Sequence, residues 1–138
     1  MELHPTGERP SERGPADSFT GTVWLDRLVV APAPARVRAG RVTFTPGART
    51  AWHTHPLGQT LHVLTGRGLA QARGGPVRVL RPGDTVWIPP GEEHWHGAAP
   101  DCVMVHLTVQ EADEQGTHVV WLDHVTDEEY RVGPASDR

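Results

Sequence analysis

The sequence predicts an all-β domain, a sandwich or barrel that ends in one short helix. Three observations favour this class. Fifteen glycines and thirteen prolines separate short runs rich in Val, Thr, Trp and Leu, as turns separate strands. No long window has the 3.6-residue periodicity of an amphipathic helix. The length of 138 residues fits one domain with a single hydrophobic core.

Ten segments have the length and composition of strands, and turn residues lie between most of them. The predicted strands are Thr22–Leu25, Arg41–Thr45, Ala51–His55, Gln59–Thr65, Leu69–Arg73, Val77–Leu80, Thr85–Ile88, His94–Ala98, Val103–Gln110 and His118–Leu122. The turn signals are Pro46-Gly47, Gly66, Gly74-Gly75, Pro82-Gly83 and Pro89-Pro90-Gly91. Short strands at this spacing are typical of a barrel or sandwich.

The two ends of the chain differ from this pattern. Residues 1–17 are polar and proline-containing and are expected to form an irregular arm. The barrel is expected over residues 18–125, and a short helix with a loose tail over residues 126–138. Thr126 followed by Glu129 is a capping-box signature, which predicts that the helix starts here.

Composition and charge exclude several classes of protein. The formal net charge is −4 with no lysine, so Schiff-base, Walker-type and Ser-Lys chemistries are excluded. A nucleic-acid partner is not expected, because no basic stripe is present. Cys102 is the only cysteine, so neither an intrachain disulfide nor a thiolate zinc cluster can form. The apolar stretches are too short for a signal peptide or a membrane span, so we expect a cytoplasmic protein without a membrane partner.

Histidine is the residue in excess: six of the nine histidines lie between positions 53 and 106. Alternation along a strand places His53 and His55 on one face, and His94 and His96 on one face of another strand. His106 lies on a third strand. Imidazoles held this rigidly are suited to a divalent metal ion. The alternative is that these histidines are solvated on the polar face of a sandwich.

The spacing of these residues resembles the two motifs of the cupin family. The first motif, G-x5-HTH-x3-Q-x6-G, starts at Gly47, and the second, G-x5-PPG-x2-H, starts at Gly83. The resemblance implies a double-stranded β-helix, that is, a jelly-roll barrel. It also implies one divalent metal ion per subunit. The implied ligands are His53, His55, Gln59 and His94.

A closer resemblance covers most of the chain. The segments GPADSFTGTV, PGARTAWHTHPLGQTL, PGEEHWHGAAP and HVTDEEY look like those of the bacterial, manganese-dependent hydroxynitrile lyases of the cupin type. These enzymes split cyanohydrins such as mandelonitrile into an aldehyde and hydrogen cyanide, and they carry Gln where most cupins carry a Glu ligand. The resemblance therefore implies a lyase with a small cyanohydrin or aldehyde substrate. It favours Mn(II), although Fe, Ni, Co and Zn also suit such ligands.

The remaining polar residues of the motif strands are candidates for proton transfer. His106 is predicted to be the general base, because it has no ligand role in either motif. His96 and Gln110 are predicted to donate a hydrogen bond or proton to the departing cyanide. His4, His62, His118 and His124 are assigned no chemistry. An apolar lining for the substrate is expected from Val42, Phe44, Leu61, Val63 and Met104.

Two other functions stay open from the sequence alone. One is a small-cupin dioxygenase or isomerase, and the other is a metal-binding or ligand-binding module without catalysis. The outward face of the strand around His106 carries Val103, Val105, Leu107 and Val109. We expect this face to be covered, together with Trp52 and Trp95, by another subunit in a homodimer or homotetramer.

Overall fold

The computed structural model of the protein describes residues 1–134. Strands predominate over this range and a single short helix follows them. The elements are β1 Glu12–Arg13, β2 Phe19–Thr20, β3 Val23–Val30, β4 Val37–Phe44, β5 Arg49–Thr50, β6 His53–Thr54, β7 Gln59–Gly66, β8 Gly68–Ala72, β9 Arg78–Leu80, β10 Thr85–Ile88, β11 His94–Ala98, β12 Met104–Glu111, β13 Val120–Trp121 and α1 Asp127–Arg131.

The strands form two sheets. The six-stranded sheet has the order β1-β3-β4-β12-β7-β10, and the seven-stranded sheet runs β13-β6-β11-β5-β2, with β8 beside β11 and β9 beside β8. Every strand pair in them is antiparallel. Consecutive strands often lie in different sheets, as in a jelly roll. The prediction of an all-β jelly-roll barrel is confirmed.

The hydrophobic core lies between the two sheets. Val23, Phe44, Val63, Ala98 and Met104 are almost completely buried there. They come from five different strands, because alternate residues of each strand face the same interior. Burying each larger side chain contributes about 1.5–3 kcal/mol, so this cluster holds the sheets together around the histidines.

A second apolar cluster lies on the outer face of the seven-stranded sheet. Trp52 and Trp95 point away from the histidines, as alternation predicts, but they are buried against Val125 and Tyr130. The rings of Trp95 and Tyr130 are 5.8 Å apart. The expectation that another subunit covers these two tryptophans is therefore wrong. The chain's own C-terminal helix covers them.

Helix α1 has the predicted start. The Glu129 backbone N–H donates to the Thr126 hydroxyl (3.1 Å), and the Thr126 backbone N–H donates to the Glu129 carboxylate (3.0 Å). This reciprocal pair is a capping box, which compensates for the short length of the helix. No helix within the described residues 1–134 is long and apolar enough to cross a membrane.

Several strand boundaries differ from the sequence-based prediction. Strands β3 and β4 are longer than expected, because they pair with each other as far as Val30 and Arg38. The pairing of β4 with β12 extends this sheet, so partner strands override the weak local propensity of this segment. The 1–17 arm is also not wholly irregular, since Glu12–Arg13 forms β1 and pairs with β3.

Candidate metal centre

Three of the predicted ligands meet between β6 and β11. His53 lies directly opposite His94 in the antiparallel pairing of these strands, and the two rings are 4.1 Å apart. His55 follows β6, with its ring 5.0 Å from that of His53 and 5.4 Å from that of His94. All three side chains are buried. The two HxH pairs therefore converge as the spacing predicts.

Each of these three rings is oriented by a backbone carbonyl. A carbonyl can only accept, so each ring donates from Nδ1 and keeps its lone pair on Nε2. Within residues 1–134, the buried Nε2 atoms of His55 and His94 have no hydrogen-bond partner. This is the tautomer that coordinates a metal ion through Nε2. The pairs are His53 with Ala51 (2.8 Å), His55 with His118 (2.7 Å) and His94 with Glu92 (2.9 Å).

Gln59 is oriented in the same manner through its amide. Its Nε2 donates to the Thr108 hydroxyl (2.6 Å) and to the Gln110 side-chain oxygen (2.6 Å). These bonds fix which end of the amide is nitrogen. The Gln59 Oε1 atom is buried and has no partner in the described part of the chain. It is thus available as an oxygen ligand.

His118 takes part in this site, although the sequence analysis assigned it no chemistry. Its backbone carbonyl orients His55, and its Nδ1 lies 2.8 Å from Nε2 of Gln110. Gln110 in turn accepts a bond from Gln59. Position 118 lies outside both motifs, so only the pairing of β13 with β6 brings this segment to the histidines.

His96 and His106 form a separate pair. Nδ1 of His96 lies 3.0 Å from Nε2 of His106, and both side chains are buried beside Phe44. One of these two nitrogens donates and the other accepts, because a hydrogen bond holds a single proton. The outer nitrogens, His96 Nε2 and His106 Nδ1, have no hydrogen-bond partner among the described residues.

Burial keeps the imidazoles neutral near pH 7. It lowers the pKa of His94 to about 4 and that of His106 to about 4. Burial, with the neighbouring His94 as the next cause, lowers the pKa of His53 well below the usual value. Burial is also the main cause of the lowered pKa of His55. Neutral imidazole is the form that binds metals and accepts protons.

The donor set fits a divalent metal ion. Ring nitrogens of His53, His94 and His96 lie within 4.8 Å of one another, so these three side chains could hold an ion. His55, which the predicted set contains in place of His96, does not belong to this group of nitrogens. Its Nδ1 is bonded to a backbone carbonyl as in His53 and His94, whereas Nδ1 of His96 is bonded to His106.

A cavity of about 460 Å³ is lined by His53, His55, His96 and His106, and its described lining does not include His94. Val42 and Phe44 line it as predicted. Leu61, Val63 and Met104 do not belong to the lining that the structure describes, which differs from the predicted pocket. They are fully buried and fill the barrel interior instead. The apolar lining that the sequence analysis missed consists of Phe19, Leu25, Val119 and Trp121.

The missed lining residues lie near the two ends of the barrel sequence. Phe19 and Trp121 have ring centroids 5.5 Å apart, although 101 positions separate them in the chain. No local pattern links the two positions. Their meeting follows from the topology, because β2 and β13 both belong to the sheet that carries the histidines.

Known proteins resemble this chain in sequence and fold. The family model for the cupin domain matches residues 40–109. A protein named (R)-mandelonitrile lyase, from Granulicella tundricola, is 59% identical over 131 residues, which are 95% of this chain and 99% of that protein. A crystal structure of a cupin-like protein from Thermotoga maritima is 43% identical, with a TM-score of 0.85, and the match covers 94% of this chain and 97% of that one.

A more distant structure shows the same fold. The polyketide cyclase RemF from Streptomyces resistomycificus is 20% identical with a TM-score of 0.73, over 95% of this chain and 91% of that one. The two histidine motifs, the antiparallel double sheet and the converging imidazoles agree with these matches. The chain belongs to the cupin family.

Proposed function

We propose that this protein is a metal-dependent hydroxynitrile lyase that cleaves mandelonitrile into benzaldehyde and hydrogen cyanide. The observation that carries the proposal is the set of oriented donor atoms beside a cavity that has an aromatic part. Backbone carbonyls hold Nδ1 of His53, His55 and His94, and neighbouring side chains hold the amide nitrogen of Gln59, which leaves the three Nε2 atoms and the amide oxygen for a metal ion. The high identity to a protein named (R)-mandelonitrile lyase supports this reaction over other cupin chemistries.

The proposed metal ligands are His53, His55, Gln59 and His94, and the proposed ion is Mn(II). When bound, a divalent ion supplies Lewis acidity, which lowers the pKa of a hydroxyl group beside it. All four ligands are neutral, so this chain would leave the ion its full double positive charge. Such a site favours an electron-rich oxygen and does not favour higher oxidation states of the metal.

The His96–His106 pair is suited to move the proton. In one tautomer His106 Nε2–H donates to His96 Nδ1, which leaves a lone pair on His106 Nδ1 and a proton on His96 Nε2. His106 Nδ1 then accepts the hydroxyl proton while His106 passes its Nε2 proton to His96 Nδ1. His96 releases its Nε2 proton to the cyanide carbon. The two histidines finish neutral, with their tautomers exchanged.

The bonds balance in this scheme. The O–H bond and the carbon–carbon bond to the nitrile break, and the electron pair of the latter leaves with cyanide. A C=O bond and an H–C bond of hydrogen cyanide form. Because the pKa of His106 is low, His106 does not retain the proton, and the more basic cyanide receives it.

The cavity lining is suited to an aromatic substrate. Phe19, Phe44 and Trp121 lie around its apolar part, with Val42 beside them. An aromatic ring can pack against these side chains and exclude water from the reacting atoms. Gln110 is bonded to both Gln59 and His118. We therefore assign it a positioning role for Gln59 and not the role of a proton donor.

We also propose that the protein works as a homodimer or homotetramer. Val109 is exposed on the outer face of the six-stranded sheet and Val103 is exposed just before β12. Trp24 and Trp87 are exposed elsewhere on the same sheet. Apolar side chains at this density on one sheet favour burial against a second copy.

An anaerobic cleavage assay tests the proposed reaction. The purified protein would be stripped with a chelator, reloaded with Mn(II) and mixed with mandelonitrile under argon, with benzaldehyde followed by its absorbance. We expect cleavage that is lost on chelation and restored by manganese without oxygen. Turnover that requires oxygen, or equal cleavage before and after chelation, would refute the proposed lyase mechanism.

A further inference from the structure

A second cavity lies on the opposite face of the seven-stranded sheet from the histidines. It has a volume of about 510 Å³, and among the described residues it shares no lining side chain with the first cavity. Strand β5 separates the two, because Thr50 lines the histidine cavity and its neighbour Arg49 lines the second one. Helix α1 forms part of the rim through Asp127, Tyr130 and Arg131.

Arginine dominates the polar lining of this second cavity. Four of the chain's thirteen basic residues, all of them arginine, line it: Arg49, Arg67, Arg81 and Arg131. Arg49 is buried and already used, because it donates to the Val125 carbonyl (2.9 Å) and to the Asp127 carboxylate (2.8 Å). Arg49 therefore holds α1 against the sheet, and these bonds fix its side chain in the lining of the cavity.

Arg81 is in a different situation. Its Nη1 atom is buried and has no hydrogen-bond partner within the described residues 1–134. An unpaired guanidinium N–H in such a place is unfavourable unless an acceptor completes it. Among residues 1–134, no side chain or backbone carbonyl accepts from this group. A ligand would supply that acceptor.

The nearby charges leave a positive excess. Three carboxylates of the described residues contact these four arginines: Asp127 pairs with Arg49 and Arg131, Asp101 pairs with Arg67, and Asp84 accepts from the backbone N–H of Arg81 (2.8 Å). Within residues 1–134, four positive and three negative charges give a local excess of one positive charge. This excess contrasts with the formal net charge of −4 for the whole chain.

Apart from Asp127 and Tyr130, the rest of the described lining is apolar or glycine. Leu69, Val79, Ala99 and Pro100 lie around the arginines, so inorganic phosphate would leave most of the wall without a favourable contact. A ligand with one negative charge and a small apolar body matches both parts. A carboxylate can also accept two parallel hydrogen bonds from one guanidinium.

We propose that this cavity is a binding site for a small organic monocarboxylate, held by Arg81 and separate from the metal centre. Benzoate is a suitable probe, and benzamide is its neutral control of nearly the same shape. Isothermal titration calorimetry would measure both, on the metal-loaded protein and on the chelated protein. Inorganic phosphate would be the third probe.

The matched variants are Arg81→Gln and Arg78→Gln. Both remove one positive charge at neighbouring positions, but Arg78 is exposed on β9 and lies outside the described lining of this cavity. We expect benzoate to bind at one site per chain with or without metal, and at least about tenfold more tightly than benzamide or phosphate. Arg81→Gln should weaken benzoate about tenfold, while Arg78→Gln should change it less than about twofold.

Three results would overturn the proposal. One is the absence of saturable benzoate binding to the folded protein. The second is binding that disappears on chelation, which would place benzoate at the metal centre. The third is an equal loss of binding in Arg81→Gln and Arg78→Gln, which would indicate a general charge effect. Circular dichroism of both variants would show that they are folded. Each outcome is independent of whether the protein cleaves cyanohydrins.

Discussion

Each proposed ligand is oriented by a hydrogen bond on the side away from its donor atom. A histidine is rigid only when both its χ angles and its tautomer are fixed, and a backbone carbonyl does both. His53, His55 and His94 have that carbonyl, and Gln59 has an equivalent pair of acceptors. These bonds restrict the orientation of all four side chains.

A pair of alanine variants tests which histidine completes the proposed ligand set. His55→Ala should weaken metal binding by more than about 100-fold, because the loss of a direct ligand exceeds the 10–100-fold cost of losing an outer partner. His96→Ala should retain metal at near the wild-type level. Metal content after dialysis against a weak chelator gives the answer. If His96→Ala lost its metal and His55→Ala kept it, the proposed ligand set would be incorrect.

His106 is the residue whose loss should separate metal binding from turnover. In His106→Ala the ligands are unchanged, so the metal content should stay within about twofold of wild type. The rate of mandelonitrile cleavage should fall about 10²- to 10⁴-fold, the range for removal of a general base. His62→Ala is the control, since His62 bonds to Thr85 on the other face of β7. An active His106→Ala enzyme would contradict the relay.

The sequence contains most of the information about these residues. The two HxH pairs could be predicted, because strand alternation depends only on sequence spacing. His96 and His106, which are hydrogen-bonded to each other, line the same cavity. The role of His118 could not be predicted. It acts on His55 through its backbone carbonyl. Every residue has such a carbonyl, so the residue type does not indicate this contact.

At the scale of elements, short strands and a single capped helix depend on their partners. Strand β6 has two residues and α1 has five, lengths at which neither is stable alone. Thr85–Ile88 and His94–Ala98 were predicted with their observed limits, because turn residues flank both. The limits of β3 and β4 follow from pairing, which local composition does not encode.

Helix α1 provides a test of the capping box through pH. The backbone N–H of Thr126 lowers the pKa of Glu129 from 4.5, so the stabilisation is present above that pH and is lost as the pH falls through the lowered value. Glu129→Ala should reduce the free energy of unfolding by about 0.5 kcal/mol at pH 7, since the group is partly exposed. The reduction should shrink as the pH falls below the ordinary value of 4.5.

Urea denaturation at pH 7 and at pH 3 would measure how much Glu129→Ala lowers the free energy of unfolding at each pH. Glu129→Gln serves as the control, because a glutamine keeps the hydrogen bonds of a capping box without the charge. Its effect should vary little with pH. A Glu129→Ala difference that stayed constant from pH 7 to pH 3 would argue against a role for the charged carboxylate.

At the scale of the whole molecule, the two sheets have different neighbours on their outer faces. The chain itself covers the seven-stranded sheet with the Trp52–Tyr130 cluster. The six-stranded sheet keeps exposed apolar side chains, of which Val109 is 43% exposed. The proposed subunit contact therefore includes the outer face of the six-stranded sheet.

A lysine on this face should disrupt the assembly. Val109→Lys places a hydrated charge in the proposed contact, so its mass in size-exclusion chromatography with light scattering should shift towards the 15.1 kDa of one chain. Val132→Lys is the matched control, because Val132 is exposed beside α1. If Val109→Lys had the same mass as wild type, the contact would have to lie elsewhere.

A titration that compares bound metal with the rate of cleavage tests the proposed metal-dependent reaction most directly. Metal-free protein would be titrated with Mn(II) under argon while the initial rate of mandelonitrile cleavage and the bound metal are both recorded. If cleavage depends on one bound ion per chain, the rate should rise in proportion to bound metal and level off at one ion per chain. A rate that does not depend on bound metal, or a fully loaded protein that releases no benzaldehyde, would contradict it.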